Sequence, residues 1–325
     1  MQSATPLNSS NASATATPPS HWVGADQLDT DFKTALLEKV KSIPRPPQAM
    51  QQLLSQDFIN KATSVELSNL VKGEPAVVAK VIATVNSPLY NLRNPVQTIG
   101  QAITFMGVNQ VRGLCIQLML ADCFACKDAR MGKALDAVWQ SNQAAGVLLP
   151  KLALAFKLES AATLSSQVIL SFVGQLAMAS LMPGANLATW SRLGRALRYR
   201  MEQSFVGINA TELGALILRH WQVQEDLVQD VIAIDRVLVD TVESSKAKDP
   251  AAAAVGYLCV WMAEQLAREL GTAKASPWSP VDKDTPELQA WLSYGDLPGM
   301  ATGTESLHQA PMQTLYTQIR QGQAA

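Results

Sequence analysis

From Asp31 onward, apolar residues return every three or four positions rather than every second one. In DFKTALLEKVKSI, residues Phe32, Leu36, Leu37, Val40 and Ile43 form one helical stripe, and Pro44, Pro46 and Pro47 close it. AMQQLLSQDFI predicts a second, short helix. Thr63 followed by Glu66 has the form of a capping box and opens a helix through Val71. The next starts at Glu74-Pro75, because proline in a first turn forfeits no hydrogen bond. Its apolar residues Val77, Val78, Val81, Ile82 and Val85 cover more than one face, which predicts a central position. The stretch VNSPLYNLRNP then interrupts the pattern: Ser87 precedes Pro88 and is biased away from helical geometry. Asn86 is expected to be largely buried there, bonded to backbone groups left open at the helix end. Thr98 and Gln101 repeat the capping-box pattern for a helix that stops near Gly107, and Asn109 is placed to cap the following one, through Phe124. A long helical region runs from Lys133 to Phe156, with Pro150 marking a kink or a break.

No segment alternates with period two and no Asn-Gly or Asp-Gly hairpin joins apolar runs, so the chain reads as all-α, with about a dozen helices. Composition divides it further. Residues 1–30 are rich in Ser, Thr, Ala, Asn and Pro and predict a disordered tail without the marks of a secretory signal. Charge and small residues cluster from Ala125 to Met131, and Pro and Ser from Gly271 to Pro286. The expected units are therefore 31–125, 126–270 and a partly irregular C-terminal helical extension, 271–325. Apolar residues make up 48% and charged ones 16% of 325 residues, enough for a packed core. The net charge of -1 gives no general attraction to nucleic acid or anionic lipid. Between Glu159 and Arg192 no residue is charged, a run long enough to span a bilayer. Gln167, Gln175 and the Pro183-Gly184 break favour a buried core helix instead, and no membrane contact is expected. Four scattered cysteines form no disulfide framework and fit a reducing cytoplasm.

The inventory of chemistry is thin. Cys123-Phe-Ala-Cys126 has no second ligand pair for zinc and no βαβ setting for redox work, so small apolar packing explains it best. Only His21, His220 and His308 offer imidazole, and His220 belongs at a helix end or surface. There is no nucleophile elbow, P-loop or dinucleotide glycine pattern. SRLGRALRYRMEQ packs Arg192, Arg195, Arg198 and Arg200 into nine residues, and the first three, spaced by three, fall on a slowly drifting helix face that reads ordinarily as solvated. The same arginines could hold phosphates or an acidic partner, and with Glu202 and Glu212 they complete the candidate binding set. Glu212 also suits a helix start, facing the amide dipoles.

Three stretches, SIPRPPQAMQQLL, SVELSNLVKGEPAVVAKVIATVNSPLYNL and VQTIGQAITFMGVNQVRGLCIQLML, closely resemble the HDOD domain, a helical output module of bacterial signalling proteins. Glu74, Pro75, Asn86, Ser87, Pro88 and Gly107 stand at its structural signature positions, with Glu74 replacing the usual aspartate, a better helix cap. More faintly, SFVGQLAMASL, GINATELGALILRHW and VWMAEQLAREL continue the resemblance to about residue 270. It implies an HD-like multi-helix bundle with an added N-terminal helical subdomain. HD phosphohydrolases hold metal on a His-Asp pair and further histidines and aspartates. Here the pair's positions read Gly174 and Gln175, a second histidine's reads Ala210, and an earlier one falls at Gln140 or Ser141. Glycine and alanine have no donor and glutamine is a poor neutral one, so no metal or other cofactor is expected. The resemblance implies a non-catalytic regulatory or scaffold protein of a bacterial cytoplasm, binding a signalling protein or a small ligand. Two alternatives remain: an enzyme acting on nucleotides or phosphoesters through Glu202 or Glu212, and a nucleic-acid binder through the Arg192–Arg200 helix, which the near-neutral charge argues against. A homodimer is compatible with the low charge content.

Overall fold

The structure, a computed structural model, describes residues 22–87, 90, 92–124, 128–269 and 285–322. Among them are eighteen α-helices and no strand. The N-terminal part holds α1 (Thr30–Lys41), α2 (Gln48–Leu54), α3 (Gln56–Lys61), α4 (Ser64–Val71), α5 (Pro75–Val85), α6 (Ile99–Met106) and α7 (Val108–Cys123). The larger part holds α8 (Ala129–Ala155), α9 (Ala161–Leu170), α10 (Val173–Leu181), α11 (Leu187–Trp190), α12 (Arg195–Val206), α13 (Ala210–His220), α14 (Glu225–Arg236) and α15 (Pro250–Arg268). Three helices, α16 (Pro286–Leu292), α17 (Met300–Ser306) and α18 (Ala310–Gly322), follow. The count exceeds a dozen because short helices break where a cap intervenes. Ser55, in extended geometry, ends α2 and accepts from Phe58 N at 3.3 Å to start α3, splitting the single helix expected there.

Both capping boxes form. Thr63 and Glu66 exchange bonds at the start of α4, as do Thr98 and Gln101 at α6. Glu74 makes no side-chain cap bond, so Pro75 alone sets the start of α5. Only Val77, Val81 and Val85 of α5 are buried, while Val78 and Ile82 stay half-exposed, so the helix lies against the core rather than through it. Asn109 does not cap: Gly107, at φ +87°, is both the end of α6 and the entry to α7, a turn that a side chain would strain. Pro150 lies inside a continuous 27-residue helix, α8, capped by Asp128. The corner after α5 also differs from expectation. Asn86 is exposed, and its side chain spans ten residues, not the helix end: Nδ2 donates to Val96 O and Oδ1 accepts from Val96 N, both at 2.8 Å. Ser87 N closes the turn on Thr84 O, and Pro88 and Leu89 lie outside the described residues.

One apolar cluster extends from Ala25 to Ile319, with α8 and α15 as its central pair. The N-terminal and larger parts share it, and Arg112 of α7 ties them. That buried guanidinium donates to Leu53 O, Ser166 Oγ and Ala162 O at 2.9, 2.8 and 2.6 Å. Trp291, Tyr294, Met300, Leu307 and Tyr316 pack the C-terminal helices onto the same core. The uncharged run is not one helix: α9 and α10 meet at Ser171–Phe172. Ala161–Leu181 is the one stretch among the described residues long and apolar enough to cross a membrane, and 83% of that window is buried within the protein.

Candidate functional site

Gly174 of α10 and Ala210 of α13, two of the positions matched to metal ligands, meet backbone to backbone where the helices cross. A Cβ on Gly174 would fall 1.7 Å from Ala210 O and 2.8 Å from Gly214 N. A Cβ on Gly214 would in turn sit 3.0 Å from Gly174 N. No imidazole can be accommodated at 174 while these helices keep this contact. Gln175 is 4% exposed and its Oε1 has no hydrogen-bond partner. Ser141, on α8, donates to Ala137 O of its own helix.

Beside this crossing is a buried cluster of charge. The Arg195 Nη1 donates to both oxygens of Asp235, at 2.6 and 2.8 Å, and its Nε donates to Glu264 Oε1 at 2.9 Å. Arg198 pairs with the same Glu264 oxygen. Thr211, next to Ala210, donates to Asp235 Oδ2 at 2.5 Å. The Arg195 guanidinium also lies 4.9 Å from the centre of the Phe172 ring, one turn before Gln175. Burial pushes the Glu264 carboxyl up, but Arg198 and Arg195 outweigh it and hold it down at about 2. Buried charge is tolerated only when paired this closely. Glu202 is enclosed as well: Trp190 Nε1 donates to Oε1 at 2.8 Å and Ala210 N to Oε2 at 2.7 Å. Burial raises its pKa, and those two bonds offset only part of the effect.

The solvated arginine face is therefore corrected. Arg195 and Arg198 are 4% exposed and turned onto carboxylates, whereas Arg192 precedes α12 and is exposed. Phosphate gripping by all three along one outward helix face is incompatible with this burial. Glu212 faces the N-terminal segment: Trp22 Nε1 and Ala25 N donate to its two oxygens at 2.7 and 3.1 Å. Trp22 packs against Tyr199 with ring centres 4.6 Å apart and the planes tilted by 42°, and the Arg236 guanidinium lies 5.0 Å from the Trp22 ring centre. Residues 1–21 of the expected tail lie outside the described residues, but from Trp22 onward the chain is a strap across α12, α13 and α14.

Other candidates stay apart from this region. The Cys123 thiol is buried and pushed up to about 11 by burial, aided by Asp122, so it is no ready thiolate. Cys126 and His21 lie outside the described residues; His220 ends α13 and His308 is exposed. Asp235 and Glu264 were not singled out from sequence. Each is a lone carboxylate inside an apolar run, VIAIDRV and VWMAEQL, and that oddity was the available signal.

An all-helical bundle in which α10 lies on the α13 backbone beside a buried arginine–carboxylate cluster defines the class of protein. The HDOD domain family model matches residues 43–236, and the chain belongs to that family. An HDOD domain protein of unknown function from Geobacter sulfurreducens superposes with a TM-score of 0.59 at 17% identity, covering 90% of this chain and 98% of that one. A candidate phosphohydrolase from Shewanella amazonensis SB2B gives 0.54 at 22% identity, covering 90% and 98%. A candidate signal transduction protein from Marinobacter aquaeolei VT8 gives 0.56 at 16%, covering 91% and 66%. These likenesses establish the shared fold. No curated protein matches the chain. The metal ion of HD phosphohydrolases does not fit the residues present here. Gly174 and Ala210 offer no donor, position 174 has no room for a side chain, and the nearby carboxylates already neutralise Arg195.

Proposed function

We propose that this protein is a non-catalytic regulatory or scaffold member of the HDOD family in a bacterial cytoplasm, binding a signalling partner or a small ligand. The observation that carries this is the Arg195–Asp235–Glu264 cluster. Asp235, which accepts from Thr211 beside Ala210, and Glu264 are committed to a permanent side-chain cation, which supports a structural role for that region. The signalling context rests on family membership, with the Marinobacter relative's name as a parallel. The enzymatic alternative finds less support: Glu202 is sealed by Trp190 and Ala210, and the half-buried Glu212 already accepts from Trp22 and Ala25. The purified chain, supplied with Mn²⁺, is expected to leave phosphomonoesters, nucleotides and cyclic dinucleotides unturned. Turnover that disappears in Glu212→Gln would overturn the reading.

A further inference from the structure

A cavity of about 540 Å³ opens between α8, α11, α12 and α15, beside the buried charge cluster. Five cationic side chains line it, Arg130, Lys133, Arg192, Arg198 and Arg268, and Glu264 is its sole acid. That acid is already matched, since both Arg195 and Arg198 pair with it. Arg130, Lys133 and Arg192 are exposed and form no ion pair among the described residues. Arg198 is different: it is 4% exposed, held 5.4 Å from the Trp190 ring centre, and its buried Nε has no partner. Arg268 spends one nitrogen on Leu193 O at 2.8 Å, which fixes its guanidinium at the cavity. Burial lowers its pKa first, and the neighbouring Arg198 cation adds to that, against the pull of Glu264. Cations gathered around a small-molecule-sized space leave positive charge that an anion would neutralise. Val138 and Leu187 supply apolar wall beside it.

We infer that this cavity is a binding site for a phosphate-bearing small molecule of about nucleotide size, held by Arg130, Lys133 and Arg192 at the rim and by Arg198 and Arg268 at the base. The inference deepens the regulatory reading above by giving its ligand a place and a charge. Ser141, one of the positions matched to a family histidine, lines the cavity too, whereas Gly174, Gln175 and Ala210 do not. Rim cations on α8 and in the turn after α11 would be drawn together by one anion, so occupancy would couple those elements.

The test is calorimetric titration of the full chain at low salt with inorganic pyrophosphate and with ADP. At least one is expected to bind, more weakly as salt rises. In Lys133→Ala/Arg192→Ala, which removes two exposed and unpaired side chains, affinity should fall about tenfold or more while the thermal unfolding midpoint stays near the parent's. A double variant with the same charge change far from the cavity, Lys61→Ala/Lys72→Ala, should bind like the parent. Failure of both compounds to bind, or equal weakening in both variants, overturns the site and leaves the regulatory reading standing. Hydrolysis of either compound without loss of the site would overturn the non-catalytic reading alone.

Discussion

At the scale of single residues, the helix crossing turns on the absence of one side chain. Gly174 lets α10 lie on the α13 backbone, and a methyl group there would overlap Ala210 O. Backbone cannot rotate away as a side chain can, so Gly174→Ala is expected to cost about 3 kcal/mol or more, read from the chemical denaturation midpoint. A stable Gly174→Ala protein would show that the helices separate easily. Asn86 acts over a distance: both its amide atoms satisfy Val96, whose backbone is otherwise left open at the corner. Asn86→Leu should therefore lose about 1–3 kcal/mol through those unmet groups. If it is fully stable but fails to bind a partner, the corner is functional instead. The family signature made Asn86 legible, but its bonding partner was not, because the link joins residues separated by a loop.

At the scale of elements, local signals proved legible and long-range pairing did not. The two capping boxes and the proline start of α5 are decided within four residues, and they form as read. The burial of Arg195 and Arg198 depends on carboxylates forty and sixty-nine residues downstream of Arg195, which no helical period reveals. The strap from Trp22 to Ala25 escaped for the same reason: its anchor, Glu212, is 190 residues beyond Trp22. Trp22→Ala removes a ring contact, a cation–π contact and a hydrogen bond, so a loss of about 1–3 kcal/mol is expected, with faster proteolytic cutting before α1. Unchanged stability and cutting would mean that the strap contributes nothing.

For the whole molecule, the buried Glu264 contributes to acid sensitivity. Glu264 titrates near 2 in the fold against 4.5 ordinarily, a lowered value. Its stabilising effect is thus present above pH 4.5 and is lost as pH falls from there toward 2. Glu202, with a raised pKa, works in the opposite sense: its contribution is present at low pH and fades as pH rises through its folded value. Glu264→Gln strands Arg195 and Arg198 with less charge to meet them, at a cost of about 3–5 kcal/mol at neutral pH. Its stability should then vary less with pH across the acid range than the parent's. An identical acid profile would place the sensitivity elsewhere. The all-α class and the HDOD family were readable from motif order alone, whereas the cationic cavity needed four helices in place around it.

On the reading proposed above, backbone and arginine stand where related phosphohydrolases would hold metal. Metal content decides it most directly: elemental analysis of the full chain after incubation with Mn²⁺, Fe²⁺ and Zn²⁺, followed by gel filtration. The account predicts far less than one metal ion per chain, with Glu264→Gln no different. A retained, stoichiometric ion that is lost in the Asp235→Asn or Glu264→Gln protein would contradict it.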